Sequence, residues 1–193
     1  FVRYADDSMI FCKSKKAAIQ TKESITRFIE DKLHLKVNQE KTVVSYVRGV
    51  KYLGYSFYIS KGKCELCVHP KSKAKMRTRL KELTGRSNGM GYEQRKRKLK
   101  EYIRGWIGYY HLANMKRLLL ETDEWLRRRI RMCIWKSWKR PKTRIPNLIK
   151  CGIPKRKAYE WGNTRLGYWR IADSWITHHA MTNDRLRLAG YPT

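Results

Sequence analysis

Near residue 69 the chain changes its repeat, and that change constrains its fold more than any other feature. Before it, Val50, Tyr52, Tyr55, Phe57 and Ile59 are dominated by β-formers, a turn follows at Lys61, Gly62 and Lys63, and a second strand runs from Cys64 to Val68. After it, apolar residues return at helical spacing, first at Met76, Leu80 and Leu83. Pro70 stands at the switch, where its fixed φ and missing N–H suit the first turn of a helix. The expectation is an α+β chain, with hairpins and one helix first and an all-α region after them.

Upstream, Asp6 and Asp7 sit together between two apolar β-type runs, Phe1 to Tyr4 and Met9 to Cys12. Adjacent carboxylates in a tight turn are hard oxygen donors, which suit Mg²⁺ ions held against substrate phosphates. Asp also favours turns for purely local reasons, so the surroundings must decide. Ser14 is placed to cap a helix carrying Ala18, Ile25, Ile29 and Leu33 on one face up to His34. Leu35, Lys36 and Val37, then Thr42, Val43 and Val44, read as short strands around a polar turn at 38–41.

Charge separates the two parts. The 193 residues hold 45 Lys and Arg against 16 Asp and Glu, a net charge of +29. Residues 1–60 carry 11 basic and 6 acidic side chains, leaving 34 and 10 for the rest. Such a surplus repels itself unless phosphates neutralise it, so the partner expected is nucleic acid. No apolar run approaches the roughly 20 residues of a membrane span. Five cysteines with a lone pair at Cys64 and Cys67 make neither a disulfide framework nor a zinc set, and reduced thiols fit a cytosolic compartment.

In the helical part, Leu99, Tyr102, Ile103, Trp106 and Tyr110 form an apolar stripe on a helix beginning near Tyr92, whose other side carries Arg95, Lys96, Arg97, Lys98 and Lys100. A further helix from about Asp123 places Leu126, Ile130, Ile134 and Trp138 on one face, with Arg127, Arg128, Arg131 and Lys139 off it. From Pro141 on, short elements punctuated by Pro and Gly are dense in Trp, Tyr and Arg, with a last helix after Thr182. Most of those aromatics are needed for a core, leaving one or two to stack on bases.

Taken together, these residues resemble the C-terminal half of a bacterial group II intron-encoded reverse transcriptase and maturase, in the form without a His-Asn-His nuclease. Tyr4, Ala5, Asp6 and Asp7 resemble the catalytic palm hairpin, residues 35–41 the motif after it, and Tyr52, Leu53, Gly54 and Tyr55 the primer grip. The strings Tyr102 to Trp106, Trp125 to Arg129, Tyr159 to Asn163 and Gly167 to Arg170 resemble the thumb and DNA-binding end. Ser8, Met9 and Gly91 depart mildly from the family pattern.

The resemblance implies three regions: the end of a palm over 1–68, a helical maturase or thumb domain over 69–140, and a basic aromatic-rich DNA- and RNA-binding region over 141–193. It implies that Asp6 ligates both catalytic Mg²⁺ ions, that Asp7 supports them, and that Lys41 protonates pyrophosphate. Arg95, Lys96, Arg97, Lys98, Arg104, Arg127, Arg128, Arg131, Lys139, Arg140 and Arg170 are the expected nucleic-acid contacts. The implied partners are group II intron RNA, an RNA template with its DNA primer, and target DNA, in a bacterial cytoplasm with no membrane. In this family a further metal-binding Asp and the fingers lie upstream of the hairpin, and a chain opening on Phe reads as a fragment. Polymerase action then needs a partner supplying that half, whereas an RNA-binding maturase module would act alone and an inactive remnant would do neither.

Overall fold

The structure is a computed structural model and describes residues 1–192. Its contacts divide the chain into two units, residues 1–72 with the segment Leu112–Asn114, and residues 73–111 with 115–192. It is an α+β chain, with small antiparallel hairpins first and helices after them.

In the first unit, β1 (Val2–Tyr4) and β2 (Asp7–Met9) pair antiparallel with Val2 opposite Met9 and Tyr4 opposite Asp7. The turn between them is only Ala5 and Asp6, and Ala5 takes a φ of 50°, the left-handed region that a two-residue hairpin demands. Helix α1 (Lys15–Asp31) starts at Ser14, whose hydroxyl accepts from the Ala17 amide at 3.1 Å. A 3₁₀ turn (Val47–Gly49) leads to β3 (Tyr55–Ser60) and β4 (Lys63–Val68), six residue pairs closed by Lys61 and Gly62 at φ 48° and 75°. Val68 is buried, and Ser56, also buried, donates to the Val50 carbonyl at 2.9 Å.

The short strands expected at 35–37 and 42–44 are absent. The turn between them forms, with the Asn38 carboxamide accepting from the Lys41 amide and the Thr42 amide reaching the Asn38 carbonyl. Its flanks find no ladder partner, so Leu35 and Val43 stay 60% and 71% exposed. β-propensity reports a side chain that fits a half-buried pleat, and no such surface is offered there.

The second unit is built from α2 (Pro70–Leu83, its first turn counted with the first unit), α3 (Tyr92–Tyr109), α4 (Lys116–Ser137), α5 (Pro141–Lys150), α6 (Lys155–Gly162), α7 (Tyr168–Ile171), α8 (Trp175–Ala180) and α9 (Asn183–Leu188). One apolar cluster runs through it, with Leu80, Leu99, Ile130, Leu148, Ile171 and Ile176 sealed from solvent and Trp135 nearly so. Thr84 is its polar pin. The hydroxyl donates to the Leu80 carbonyl at 2.5 Å and accepts from Arg129 Nε, while the Thr84 carbonyl accepts from Cys133 Sγ at 3.2 Å. α5 and α6 pack closely at Gly162, where a Cβ would lie 2.4 Å from Ile145 Cγ1. Helix α4 begins seven residues before the expected Asp123, because the run Leu118, Leu119, Leu120 hides the helical period. No helix among the described residues is long and apolar enough to cross a membrane.

Candidate functional site

In the first unit the Asp pair stands at the turn end of the β1–β2 hairpin. Asp6 occupies the turn, Asp7 opens β2, and both are exposed, with no hydrogen bond or ion pair to either carboxylate among the described residues. Arg3 Nε donates to the Ala5 carbonyl at 3.0 Å, so the nearby guanidinium is held by backbone rather than by the carboxylates. The Tyr52 hydroxyl donates to the Asp7 carbonyl at 3.4 Å, and Phe11 meets Phe57 edge to face at 6.3 Å.

Tyr52 to Tyr55 forms a second tight turn. The Tyr52 and Tyr55 amides and carbonyls exchange bonds of 3.1 and 2.8 Å around Leu53 and Gly54, both at positive φ (49° and 82°). Gly54 relieves one of those positions, while Leu53 adopts it against its own Cβ. The Gly54 carbonyl also accepts from the His69 amide and from Ser72 Oγ, so the turn is fixed from beyond β4. Lys41 is exposed after its turn, and no bond joins its side chain to Asp6 or Asp7.

Two exposed carboxylates are the right donor chemistry for a hard divalent ion. Their number is too small for a two-metal clamp, and no group of three or more His, Cys, Asp and Glu side chains able to hold a metal occurs among the described residues. The hairpin therefore fits as part of a metal site rather than as the whole of one.

In the second unit the basic residues sort into internal and external sets. Arg95 and Arg131, expected on the nucleic-acid face, are only 6% and 4% exposed. Arg95 lies four residues before Leu99 and so shares its inward face, where its Nη2 donates to Asn88 Oδ1 at 3.2 Å and its Nε has no partner. Arg131 Nε donates to the Met181 carbonyl and its Nη2 to Asn183 Oδ1, tying α4 to the start of α9. Arg127 pairs with Asp123 at 2.6 Å. Lys96 pairs with Glu93 at 2.5 Å, and Arg97 reaches Glu101 at 3.9 Å. Lys98 is half-buried, while Arg104, Lys139, Arg140 and Arg170 are exposed without an ion-pair partner among the described residues.

Burial also sets the titrating groups of this unit. It pushes the Tyr191 phenol up to about 12, against the opposing pull of Arg95, and raises the Cys133 thiol as well. Neither is a nucleophile at neutral pH. Trp135 on α4 is buried, whereas Tyr159, Trp169 and Trp175 of the tail are exposed. A series of cation–aromatic stacks adds to these: Arg77 and Arg129 over Trp125, Arg128 over Trp169, and Arg86 and Lys136 over Tyr168. Arg129 and Trp125 lie four residues apart on α4, whereas the other pairs join separate segments, so sequence spacing could not join them.

A hairpin presenting two free carboxylates offers oxygen donors to a divalent ion, and a helical unit with unpaired surface cations offers charge that phosphates neutralise, the chemistry of a nucleic-acid-binding protein. Residues 1–57 match the family model for reverse transcriptase (RNA-dependent DNA polymerase), and residues 73–152 match the group II intron, maturase-specific domain. No curated protein matches the chain. The chain belongs to the group II intron reverse transcriptases and maturases. Such proteins act on nucleic acid, and reverse transcriptases in general use a divalent metal. The maturase match holds 24 basic and 6 acidic residues, so most of the charge surplus falls within it.

Proposed function

We propose that this chain binds group II intron RNA through the exposed cations of its helical unit. Its Asp hairpin, in this reading, contributes Asp6 and Asp7 as Mg²⁺ ligands of an RNA-directed DNA polymerase site. What carries the reading is a reverse-transcriptase match over an unpaired carboxylate pair, succeeded by a maturase match whose Arg104, Lys139 and Arg140 are exposed and unpaired. Phosphate contacts from these groups and from Arg170 would supply affinity for intron RNA, for template and primer, and for target DNA. Magnesium, when bound, neutralises developing phosphate charge. The chain's own share is to hold two carboxylates outward on a turn and to brace that turn with the Tyr52 hydroxyl.

Because two carboxylates make only part of a two-metal site, chemistry belongs to this chain joined to further palm strands. RNA binding belongs to the chain as it stands. Primer extension on an RNA template with Mg²⁺, run on the chain and on Asp6→Asn beside an RNA titration of both, tests this. The expected result is no extension by either and equal RNA binding by both, falling with salt at a log-log slope of about −0.7 to −0.9 per phosphate neutralised. Extension by the chain alone that Asp6→Asn abolishes would overturn the division of labour. Salt-insensitive binding would overturn the phosphate-contact reading.

A further inference from the structure

We propose that an open hollow on the helical unit is a pocket for one unpaired RNA nucleotide, its base against indole and its phosphate on guanidinium and ammonium groups. This rests on the RNA-binding reading above and specifies the RNA feature that one face takes. The hollow measures about 430 Å³, within the range of sites that hold a single small organic ligand. Its walls come from three elements: Arg77 and Lys81 on α2, Trp125 and Arg129 on α4, and Trp169 on α7. Three of these five side chains are cations, and no carboxylate lines the space.

The cations divide by freedom. Arg129 is fixed, its Nε on Thr84 Oγ1 and its Nη2 on the Lys81 and Thr84 carbonyls at 3.0 Å each. Burial lowers its affinity for its proton, and no carboxylate lies in the hollow, so the charge is met only by carbonyl and hydroxyl dipoles and the Trp125 ring. Arg77 lies over Trp125 at 4.9 Å, and neither its guanidinium nor Lys81 Nζ has a hydrogen bond or ion pair among the described residues. A phosphate entering the hollow would meet one rigid cation and two free ones.

Trp169 is set in place before any ligand arrives. Arg128 stacks on its ring at 4.0 Å, donates from Nε and Nη2 to its carbonyl at 3.3 and 3.1 Å, and pairs through Nη1 with Asp173 at 2.8 Å. Arg128 is thus a positioning residue for the indole, not a group left over for phosphate. An aromatic wall held without its ligand loses little freedom on binding. Two indoles serve no purpose for a bare anion, whereas a base offers a π-face to stack. In a paired A-form helix that face is covered by its neighbours, so the ligand is a nucleotide out of the stack.

The experiment uses the 193-residue chain, Trp169→Ala and Arg77→Ala, with three ligands: an RNA hairpin carrying one bulged adenosine, the same hairpin fully paired, and adenosine monophosphate. Both substituted residues are exposed, and thermal melting checks that each variant folds. The chain should prefer the bulged hairpin, and each variant should lose roughly tenfold on it while changing by about twofold on the paired one. Equal losses on the two hairpins, or no preference for the bulge, would overturn the pocket and leave the RNA-binding reading standing. Failure to bind either hairpin would overturn both. Adenosine monophosphate bound as tightly as the bulged hairpin would overturn the assignment to RNA in favour of a free nucleotide.

Discussion

Helix α1 and helix α4 carry the same kind of helical apolar stripe, yet one closes a core and the other closes nothing. Along α4, Leu126 and Ile130 disappear into a cluster shared with α2, α3, α7 and α8. Along α1 no residue is buried, and Phe28 is 56% exposed. The first unit repeats this at Tyr4, Phe11, Leu35 and Val43, all exposed. Amphipathic patterning says which face is apolar, but whether that face is covered depends on what the rest of the fold brings to it. The two units differ in how much of their patterning is answered within the chain. The helical one is a finished piece of packing, whereas the first presents a catalytic-type turn on a scaffold whose apolar faces remain open to other contacts.

The sharpest way to break this contrast is to truncate one residue from each stripe. Ile130→Ala should cost the helical unit about 2–5 kcal/mol in urea unfolding, whereas Phe28→Ala should stay within about 0.5 kcal/mol. Equal costs would show that α1 is packed after all. Next in size is Gly162→Ala, whose Cβ would fall 2.4 Å from Ile145 Cγ1. Overpacking there should lower stability by about 1–3 kcal/mol, and adding Ile145→Ala should restore part of it. A single variant as stable as the parent would mean that α5 and α6 yield easily.

Internal and external arginines sharpen the comparison further. Arg131→Ala strands the Met181 carbonyl and Asn183 Oδ1 and should cost about 1–3 kcal/mol. Arg104→Ala should leave melting unchanged and make the RNA salt slope shallower by about 0.7–0.9. If instead Arg131→Ala weakens RNA binding with no loss of stability, its buried placement is wrong.

The smallest effect lies in the first unit, where the Tyr58 phenol and the Asn114 amide both donate to Glu65 and hold its carboxyl below its ordinary value. An unfolded Glu binds its proton at higher pH, so this stabilisation is present above the ordinary carboxylate value and fades as pH falls through the lowered one. Hydrogen exchange at the backbone N–H of Asn114, which donates to the Leu66 carbonyl and is distinct from the side-chain carboxamide on Glu65, should quicken over that acid window. In Glu65→Gln that step should vanish, and a step that persists would place the titrating group elsewhere.

Much of this was legible one residue at a time. Ser14 caps α1, Pro70 opens α2, Thr182 caps α9 and Lys61 with Gly62 turns the β3–β4 hairpin, because each acts through its own backbone and nearest neighbours. The same holds for Asp6 and Asp7, whose exposure follows from a two-residue turn. What needed a distant partner was not legible. Residues 35–37 and 42–44 have strand chemistry and no ladder to join. Arg95 reads as surface charge by composition and as core by its phase with Leu99, and phase prevailed. The hollow between Trp125 and Trp169 is assembled across three elements, so no local spacing announces it.

The core of the helical unit crosses the edge of the maturase match. Leu99, Ile130 and Trp135, inside residues 73–152, pack in one cluster with Ile171, Ile176, Leu186 and Tyr191, which lie beyond it. Family likeness and foldability therefore mark out different segments. A graft ending at 152 would transplant a recognisable signature with half its interior facing water, so any recombination that moves this module intact between chains has to cut downstream of Tyr191.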